Sequence, residues 1–137
     1  MISFEEARKR IESHCPAPEE NQVFLLESLG RVNARDITSP VALPLFDNSA
    51  MDGFALRAGD TYSASPALPV FLPVRGVIKA GGTGKTILRK KETYRIMTGA
   101  PMASGADTVI AQEKAVVKDG FLIVSSPLFK GTHVRYR

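Results

Sequence analysis

The stretch AVVKDGFLIVSS, residues 115–126, carries the clearest fold signal in this sequence. Asp119 and Gly120 separate two runs of mainly apolar and β-branched residues, and an Asp-Gly pair in that position is typical of a two-residue β-hairpin. The runs PVFLPVRGVIKA, TYRIM and DTVIAQEKAVVK have the same character and lie between glycines and prolines. From Pro40 onward the sequence therefore predicts a mainly β fold, in which 9 prolines and 11 glycines favour short, bent strands over a regular barrel.

The N-terminal segment predicts the one clear helix. Ser3 and Glu6 have the spacing of a capping box, and apolar residues recur behind them at helical spacing, at Phe4, Ala7 and Ile11. The prolines of CPAPEEN, residues 15–21, end this pattern and predict a connector. The next segment, QVFLLESLGRVNARDITSP, predicts a strand or short helix, a turn at Gly30 and a second strand before Pro40.

Composition indicates a folded cytoplasmic protein. The chain has 137 residues, of which 44% are hydrophobic and 23% charged, so it can bury a core and fits one domain or one domain with part of another. No apolar run is long enough to span a bilayer, and the N-terminus lacks the apolar core of a signal peptide. The single cysteine, Cys15, excludes an internal disulfide framework, and His14 and His133 have no partner at metal-ligand spacing.

The net charge of +4 suits an anionic partner, either nucleic acid or a phosphorylated small molecule. A small basic β-rich module that binds nucleic acid is one alternative function, and its candidate contacts would be Lys79, Lys85, Arg89, Lys90, Lys91 and Tyr94. Aromatic residues make up only 7% of the chain, and the predicted strands lack the aromatic platform on which such modules stack bases. Nucleic acid is therefore not the expected partner, and the basic clusters are interpreted as solvated surface.

Two stretches resemble known ligand motifs without matching them. GGTGKT, residues 81–86, looks like a phosphate-binding P-loop, but Lys79 stands where that motif needs a glycine, and no helix is predicted to follow. DNSAMDG, residues 47–53, looks like a calcium loop, but Met51 and Ala58 occupy ligand positions. A glycine-rich turn is the better interpretation of the first stretch, and a calcium site is excluded for the second.

The stretch LPLFDNSAMDGFALR, residues 43–57, contains more polar side chains than a simple connection needs. Asp52-Gly53 could form a hairpin turn, and Asp47 with the two residues after it could form an Asx turn. Their density also suits a site, and composition alone leaves both interpretations open.

A second stretch, RIMTGAPMASGADTVI at residues 95–110, runs from an apolar strand into a loop of small residues. The Thr98 hydroxyl and the Gly99 N–H at the end of that strand could form a cradle for an anion or another polar ligand. An ordinary exit from strand to turn explains the same residues equally well.

Together these stretches resemble a known family. FDNSAMDGFAL and RIMTGAPMASGADTVIAQE are similar to signature stretches of the molybdopterin molybdotransferases, the MoeA family, which also includes the E domain of gephyrin. The similarity extends through LLESLGRVNARDITSP to GTHVRYR. It implies an α+β fold, mainly β with an N-terminal α-helix and irregular, bent, branching sheets. Residues 1–45 would form the N-terminal helix and linker region, completed by residues 129–137, and residues 46–128 the β-rich domain.

The resemblance also implies a function. Members of the family insert molybdate into adenylylated molybdopterin and release AMP, with a divalent cation such as Mg²⁺, and they act as homodimers. Their separate α/β catalytic domain carries a glycine-threonine-glycine-acidic loop that does not occur in this chain. The chain is therefore expected to be cut from something longer, to supply one wall of an inter-subunit active site, and to be inactive alone. A non-catalytic dimerisation scaffold is a further alternative.

Site residues follow from the same resemblance. It implies catalytic roles for Asp52 and Thr98 and substrate-binding roles for Asp47, Asn48 and Ser49. The strand-end cradle adds Gly99 to the expected substrate-binding residues, and the chemistry of anionic substrates makes Asp52 the expected metal ligand. Because the substrates are anionic, an aspartate is expected to hold metal or protonated groups, while Thr98 donates a hydrogen bond to an oxyanion or phosphate. Arg135 and Arg137 could add positive potential, although a solvated surface is their ordinary interpretation.

Overall fold

A computed structural model describes residues 1–16 and 18–137, so Ala17, in the predicted connector, lies outside the described residues. The chain forms two compact units, Met1–Ser39 and Pro40–Arg137. Among the described residues, no helix combines the length and the apolar character that crossing a membrane requires.

The first unit begins with helix α1, Phe4–His14. The Ser3 hydroxyl oxygen accepts a hydrogen bond from the Glu6 main-chain N–H at 3.1 Å, which confirms the predicted start of the helix. The Glu6 carboxylate pairs with Arg10 one turn further on, at 2.7 Å. Cys15 caps the C-terminal end, where its N–H donates to the Ile11 carbonyl.

The segment after the connector contains a 3-10 helix, Leu25–Glu27, and a turn in which Gly30 has a φ of 81°. The short helix and the turn match the prediction, but the second strand does not form: the described residues contain no strand before Asn48. A strand needs a partner for its main-chain N–H and C=O groups, and the apolar side chains of this segment, such as Val32 and Ile37, are exposed in this chain.

Strands dominate the second unit, all of which the structure describes. They are β1 (Asn48–Ser49), β2 (Gly53–Leu56), β3 (Val70–Ile78), β4 (Thr93–Ile96), β5 (Thr108–Ala111), β6 (Val116–Lys118), β7 (Phe121–Val124) and β8 (Val134–Arg135). Two more 3-10 helices, Ala58–Thr61 and Gln112–Lys114, follow β2 and β5. The predicted hairpin is confirmed, because Lys118 pairs with Phe121 and the two turn residues Asp119 and Gly120 both have positive φ, 50° and 79°.

Six strands form one mixed sheet in the order β5-β2-β4-β3-β7-β6, and β1 pairs separately with β8. Strand β3 makes the sheet branch, since its first half pairs antiparallel with β7 and its second half pairs parallel with β4. The register between β3 and β4 shifts between Val74 and Val77. The predicted fold class, mainly β with an N-terminal α-helix and irregular branching sheets, is confirmed.

Strand β2 lies at the centre of this unit. All four of its residues are buried, and alternate side chains contribute to two separate apolar clusters. Ala55 packs in one cluster with Ile96 and Val109, whereas Phe54 and Leu56 pack in the other. Because both faces are packed, the position at which β2 begins is fixed, and so is the residue before it.

The end of the chain lies in the second unit. Residues 129–137 include β8, which pairs with β1 through Asn48↔Arg135 and Ser49↔Val134. The proposed division into an N-terminal region over 1–45, completed by 129–137, and a β-rich domain over 46–128 stays a prediction.

Candidate functional site

Asp52 lies immediately before β2, but not in a hairpin turn. The strand before it, β1, pairs with β8, while β2 pairs with β4 and β5. The hairpin interpretation of Asp52-Gly53 is therefore wrong. Gly53 is needed for a different reason: a Cβ there would lie 2.0 Å from the carbonyl oxygen of Ile110 on β5, so only glycine lets the two strands approach this closely.

Three strand ends meet at one edge of the sheet and position the candidate site. Because β4 and β5 both run antiparallel to β2, the first residue of β2, Gly53, pairs with the last residue of each, Ile96 and Ala111. The residues just beyond these ends, Asp52, Thr98 and Gln112, are thus brought together from distant parts of the sequence.

Asp52 is held by main-chain and side-chain hydrogen bonds at this edge. Its Oδ1 accepts two hydrogen bonds from Thr98, one from the main-chain N–H and one from the hydroxyl, both at 2.7 Å. The Asp52 carbonyl oxygen accepts a third, from the main-chain N–H of Gln112 at 2.9 Å. No donor among residues 1–16 and 18–137 reaches the other carboxylate oxygen, Oδ2.

These bonds determine the charge state of Asp52. The Thr98 hydroxyl and then the Thr98 N–H stabilise the carboxylate and hold the pKa of Asp52 below its ordinary value. Partial burial acts in the opposite direction, and the positive charge of Arg95 lowers the pKa further. Asp52 is therefore a carboxylate at neutral pH, with one oxygen bound and one available.

The Thr98 hydroxyl has a single hydrogen, and in this structure that hydrogen is donated to Asp52. The predicted hydrogen bond from Thr98 to an oxyanion stays a prediction, and it would require Thr98 to release Asp52. In this structure the two Thr98 donors instead hold the Asp52 carboxylate in one orientation.

Asn48 and Ser49 are buried and make local contacts. The Asn48 side-chain amide donates to the Phe46 carbonyl at 3.2 Å, and the Ser49 hydroxyl donates to the Met51 carbonyl at 2.6 Å. The main chain of Ser49 holds residues 98–101, the TGAP segment. The Ser49 carbonyl accepts from the Gly99 N–H at 2.8 Å, and the Ser49 N–H donates to the Ala100 carbonyl at 3.0 Å. Substrate binding by Asn48, Ser49 and Gly99 stays a prediction, while their observed contacts fix the loop that carries Thr98.

Asp47 is exposed and lies directly before β1. Its Oδ1 accepts from the main-chain N–H of Arg137 at 2.9 Å, and its carbonyl oxygen accepts from the N–H of Met102, also at 2.9 Å. It borders an open pocket of about 380 Å³ between the glycine-rich loop and the TGAP segment. The pocket is lined by Phe46, Asp47, Gly82, Thr83, Gly84, Pro101 and Met102. Substrate binding by Asp47 also stays a prediction.

The donor set at Asp52 fits only part of a Mg²⁺ coordination shell. Within residues 1–16 and 18–137 no group of three or more His, Cys, Asp or Glu side chains is placed to hold a metal ion. The unpaired Oδ2 of Asp52 is the kind of hard oxygen ligand that Mg²⁺ prefers, and Mg²⁺ commonly takes its remaining ligands from water and phosphate. Asp52 can therefore contribute one ligand to such an ion.

Two residues of this edge were missed by sequence reasoning. Arg95 and Gln112 interact through the guanidinium NH2 group and the side-chain carbonyl Oε1, 3.5 Å apart. Arg95 lies three positions before Thr98, within the quoted RIMTGAP stretch, and its charge so close to the candidate threonine is a signal that could have identified it. Gln112 lies near the end of the longer quoted stretch RIMTGAPMASGADTVIAQE, but only the pairing of β5 with β2 shows that it lies beside Asp52.

The fold and this edge define a class of protein: a helix-bearing, branched β module that presents a threonine-bound carboxylate where three strands end. The chain matches the family model of the MoeA N-terminal region (domain I and II) over residues 2–137, and it belongs to this family.

Proteins of several organisms are similar to the chain. The molybdopterin molybdenumtransferase 2 of Mycobacterium tuberculosis is 36% identical over 135 residues, which cover 98% of this chain and 33% of that protein. The molybdopterin molybdenumtransferase of Synechococcus elongatus is 41% identical over 115 residues, 83% of this chain and 28% of that protein. A crystal structure of the molybdopterin biosynthesis MoeA protein of Pyrococcus horikosii has a TM-score of 0.75 at 37% identity, covering 98% of this chain and 34% of that one. The chain thus spans about a third of the length of these relatives.

Proposed function

We propose that this chain is the N-terminal region of an enzyme of molybdenum cofactor biosynthesis, which inserts molybdate into adenylylated molybdopterin and releases AMP. The family membership and the names of the relatives support the biosynthetic role. The observation that carries the proposal at the level of the site is the contact between Asp52 and Thr98. It joins the two stretches whose resemblance to the family implied catalytic residues.

The proposed role of Asp52 is to orient reacting groups as a permanent carboxylate. Because the pKa of Asp52 lies below its ordinary value, the side chain does not act as a proton donor near neutral pH. Its unpaired Oδ2 can accept a hydrogen bond from the substrate or bind a cation. Mg²⁺ at this oxygen would neutralise negative charge on a phosphate or on molybdate. Thr98 keeps the carboxylate in one orientation.

We further propose that the functional unit is a homodimer in which this chain supplies one wall of the active site. Asp52 offers a single metal ligand, and Thr98 and Asp47 are exposed, so the groups described here would be completed by others facing them. The resemblance to the family implies that those groups come from the catalytic domain of the partner subunit. The proposed location is the cytoplasm.

The experiment compares the full-length protein with the isolated chain 1–137. Each is incubated with adenylylated molybdopterin, molybdate and Mg²⁺, and both AMP release and active cofactor are measured. We expect molybdate-dependent turnover by the full-length protein and none by the isolated chain. No turnover by the full-length protein would refute the activity, and turnover by residues 1–137 alone would refute the division of the site.

A non-catalytic dimerisation scaffold is the second candidate, and a specific observation favours it. The first unit exposes a dense set of large apolar side chains, namely Phe24, Leu25, Leu26, Leu29, Val32 and Ile37. Exposed apolar surface of this kind is typical of an interaction site. Light scattering on chain 1–137 tests the scaffold, since it should dimerise without substrate, and a monomer at micromolar concentration would argue against it. Because the proposed enzyme is also a homodimer, a dimer alone does not decide between the candidates. Molybdate-dependent turnover by the full-length protein does, since a non-catalytic scaffold predicts none.

A further inference from the structure

Arg95 extends from β4 over the strand that follows Asp52. It pairs with Phe54 of β2 in the register of the sheet, and it is exposed while the next residue, Ile96, is fully buried. Its guanidinium reaches Gln112, which follows β5 on the far side of β2. The side chain therefore spans β2 and places a positive charge at the same edge as the Asp52 carboxylate.

The hydrogen-bond donors at this edge belong mainly to Arg95. A guanidinium has several N–H groups, and among the described residues only Gln112 accepts from it, at 3.5 Å, the long limit of a hydrogen bond. By contrast, the hydroxyl of Thr98 has one hydrogen, which is already donated to Asp52 across an oxygen-to-oxygen distance of 2.7 Å. An anion that arrives at this edge thus finds free donors on Arg95 and not on the Thr98 side chain.

Charge leads to the same residue. An ionised Asp52 standing alone would repel phosphate or molybdate, and a site for an oxyanion needs a cation beside it. Arg95 is the cation whose field acts on Asp52. A planar guanidinium also binds tetrahedral oxyanions through two parallel N–H bonds, whereas a threonine hydroxyl supplies one.

We propose that Arg95 binds the oxyanion at this edge of the sheet, and that Thr98 is a positioning residue that acts through Asp52. The inference rests on the proposed function in taking the oxyanion to be either molybdate or the phosphate of the adenylylated substrate. It assigns a binding role to a residue outside the set that the family resemblance implied, and it moves the expected anion contact from Thr98 to Arg95.

Calorimetric titration of the full-length protein with two separate probes, sodium molybdate and AMP, tests this assignment. Arg95→Gln should weaken binding of at least one probe by about tenfold or more, the usual effect of losing a hydrogen bond between charged groups. The probe that loses affinity identifies the source of the oxyanion. Arg89→Gln is the matched control, because it removes the same charge from a residue that precedes the start of β4, whereas Asp52 lies near the end of β4. This variant should change neither affinity by more than about twofold.

Thr98→Val distinguishes the two residues. If Thr98 only positions Asp52, this variant should bind both probes within about threefold of wild type, while Arg95→Gln does not. Arg95→Lys, which keeps the charge but loses the planar fork, should lie between wild type and Arg95→Gln and guards against misfolding of the glutamine variant. Wild-type affinity of Arg95→Gln for both probes, an equal loss in Thr98→Val, or no binding of either probe by wild type would overturn the assignment.

The outcomes also separate this inference from the proposed function. If the full-length protein binds a probe through Arg95 but does not insert molybdate, the proposed activity is wrong and the anion site stands. If it inserts molybdate while Arg95→Gln binds and turns over as wild type does, the activity stands and the assignment to Arg95 fails.

Discussion

Asp52 and Thr98 are 46 residues apart in sequence, yet one oxygen of the aspartate accepts hydrogen bonds from both the main-chain N–H and the hydroxyl of the threonine, each at 2.7 Å. Double acceptance at Oδ1 fixes the orientation of the carboxylate and leaves Oδ2 unpaired by any described residue. Because the two residues lie at the start of β2 and just beyond the end of β4, pairing of these strands sets the geometry of the contact. The contact therefore depends on the sheet and can be tested one group at a time.

Thr98→Val should raise the pKa of Asp52 toward its ordinary value. The substitution removes the hydroxyl donor, the largest cause of the lowered pKa, and keeps the main-chain donor and nearly the same side-chain volume. Thr98→Ser keeps a hydroxyl and should leave the pKa lowered. Carbon-detected NMR titration of the aspartate carboxyls measures both variants. An unchanged pKa in Thr98→Val would mean that the hydroxyl bond is not formed in solution.

In the full-length protein, Thr98→Val should also reduce molybdate insertion by about tenfold or more, because a misoriented Asp52 costs rate in the transition state. Melting temperature should fall only slightly, since Thr98 is exposed and the substitution removes a single hydrogen bond. Thr98→Ser should keep most of the activity. Normal insertion by Thr98→Val would leave Thr98 as an ordinary residue of the loop.

Acid should remove the stability that this contact provides. The pKa of Asp52 is lower in the folded chain than its ordinary value, so the folded state binds the proton less well than the unfolded state does. The contribution is therefore complete above the ordinary pKa and is lost as pH falls through the lower, folded value. Urea unfolding should show wild type more stable than Thr98→Val near neutral pH. The difference in unfolding free energy between the two proteins should become smaller in acid.

The control for this pH dependence uses a background without the titrating group. In Asp52→Asn protein, the change in unfolding free energy caused by Thr98→Val should not vary with pH over the acid range, because the amide does not ionise. If the effect of Thr98→Val on the unfolding free energy decreases equally in acid in that background, the pH dependence belongs to another carboxyl group.

Gly53→Ala should destabilise the second unit by at least about 1–3 kcal/mol, the usual cost of forcing extra volume into a packed site. The new Cβ would lie 2.0 Å from the Ile110 carbonyl oxygen, which is main chain and cannot rotate away. Gly59→Ala is the matched control, since a Cβ there has no neighbour within 4 Å. Urea unfolding checks both variants, and equal stability of the two would show that β2 and β5 are not this close in solution.

Local sequence patterns were enough to predict the start of the N-terminal helix and the β6–β7 hairpin. The cap at Ser3 and the Asp119-Gly120 hairpin depend on neighbours in sequence, and both are confirmed. The segment over 22–40 has strand-like composition but finds no partner strand among the described residues, and composition does not report a partner. Gly53 shows the same limit, because a glycine can serve a positive φ or a close approach, and only the position of β5 decides between them.

The candidate site had a different basis. Asp52 and Thr98 were identified by resemblance to a family, and no spacing in the sequence links them. Their contact, and the arrival of Arg95 and Gln112 beside them, follow from β2 pairing with β4 on one side and β5 on the other. Such pairings join residues far apart along the chain, so the neighbours of Asp52 could not be derived from local pattern.

The last prediction separates the charge of Asp52 from its place in the fold. Asp52→Asn keeps an oxygen that can accept both hydrogen bonds from Thr98, and it replaces the unpaired Oδ2 with an NH2 group. The fold should therefore persist, with melting temperature and oligomeric state little changed. If Asp52 serves only to hold the TGAP segment, activity should persist as well.

We expect instead that molybdate insertion by the full-length protein falls by at least about tenfold in Asp52→Asn. A neutral amide is a poor ligand for a hard cation, and its NH2 group cannot accept a hydrogen bond from substrate at the position of Oδ2. Asp119→Asn is the matched control, because it makes the same chemical change in a hairpin turn where Asn-Gly is as favourable as Asp-Gly. Insertion assays on both variants test this prediction. Near-normal activity in Asp52→Asn would mean that FDNSAMDGF is only a structural segment. A loss of activity in Asp52→Asn but not in Asp119→Asn would establish the Asp52 carboxylate as part of the site.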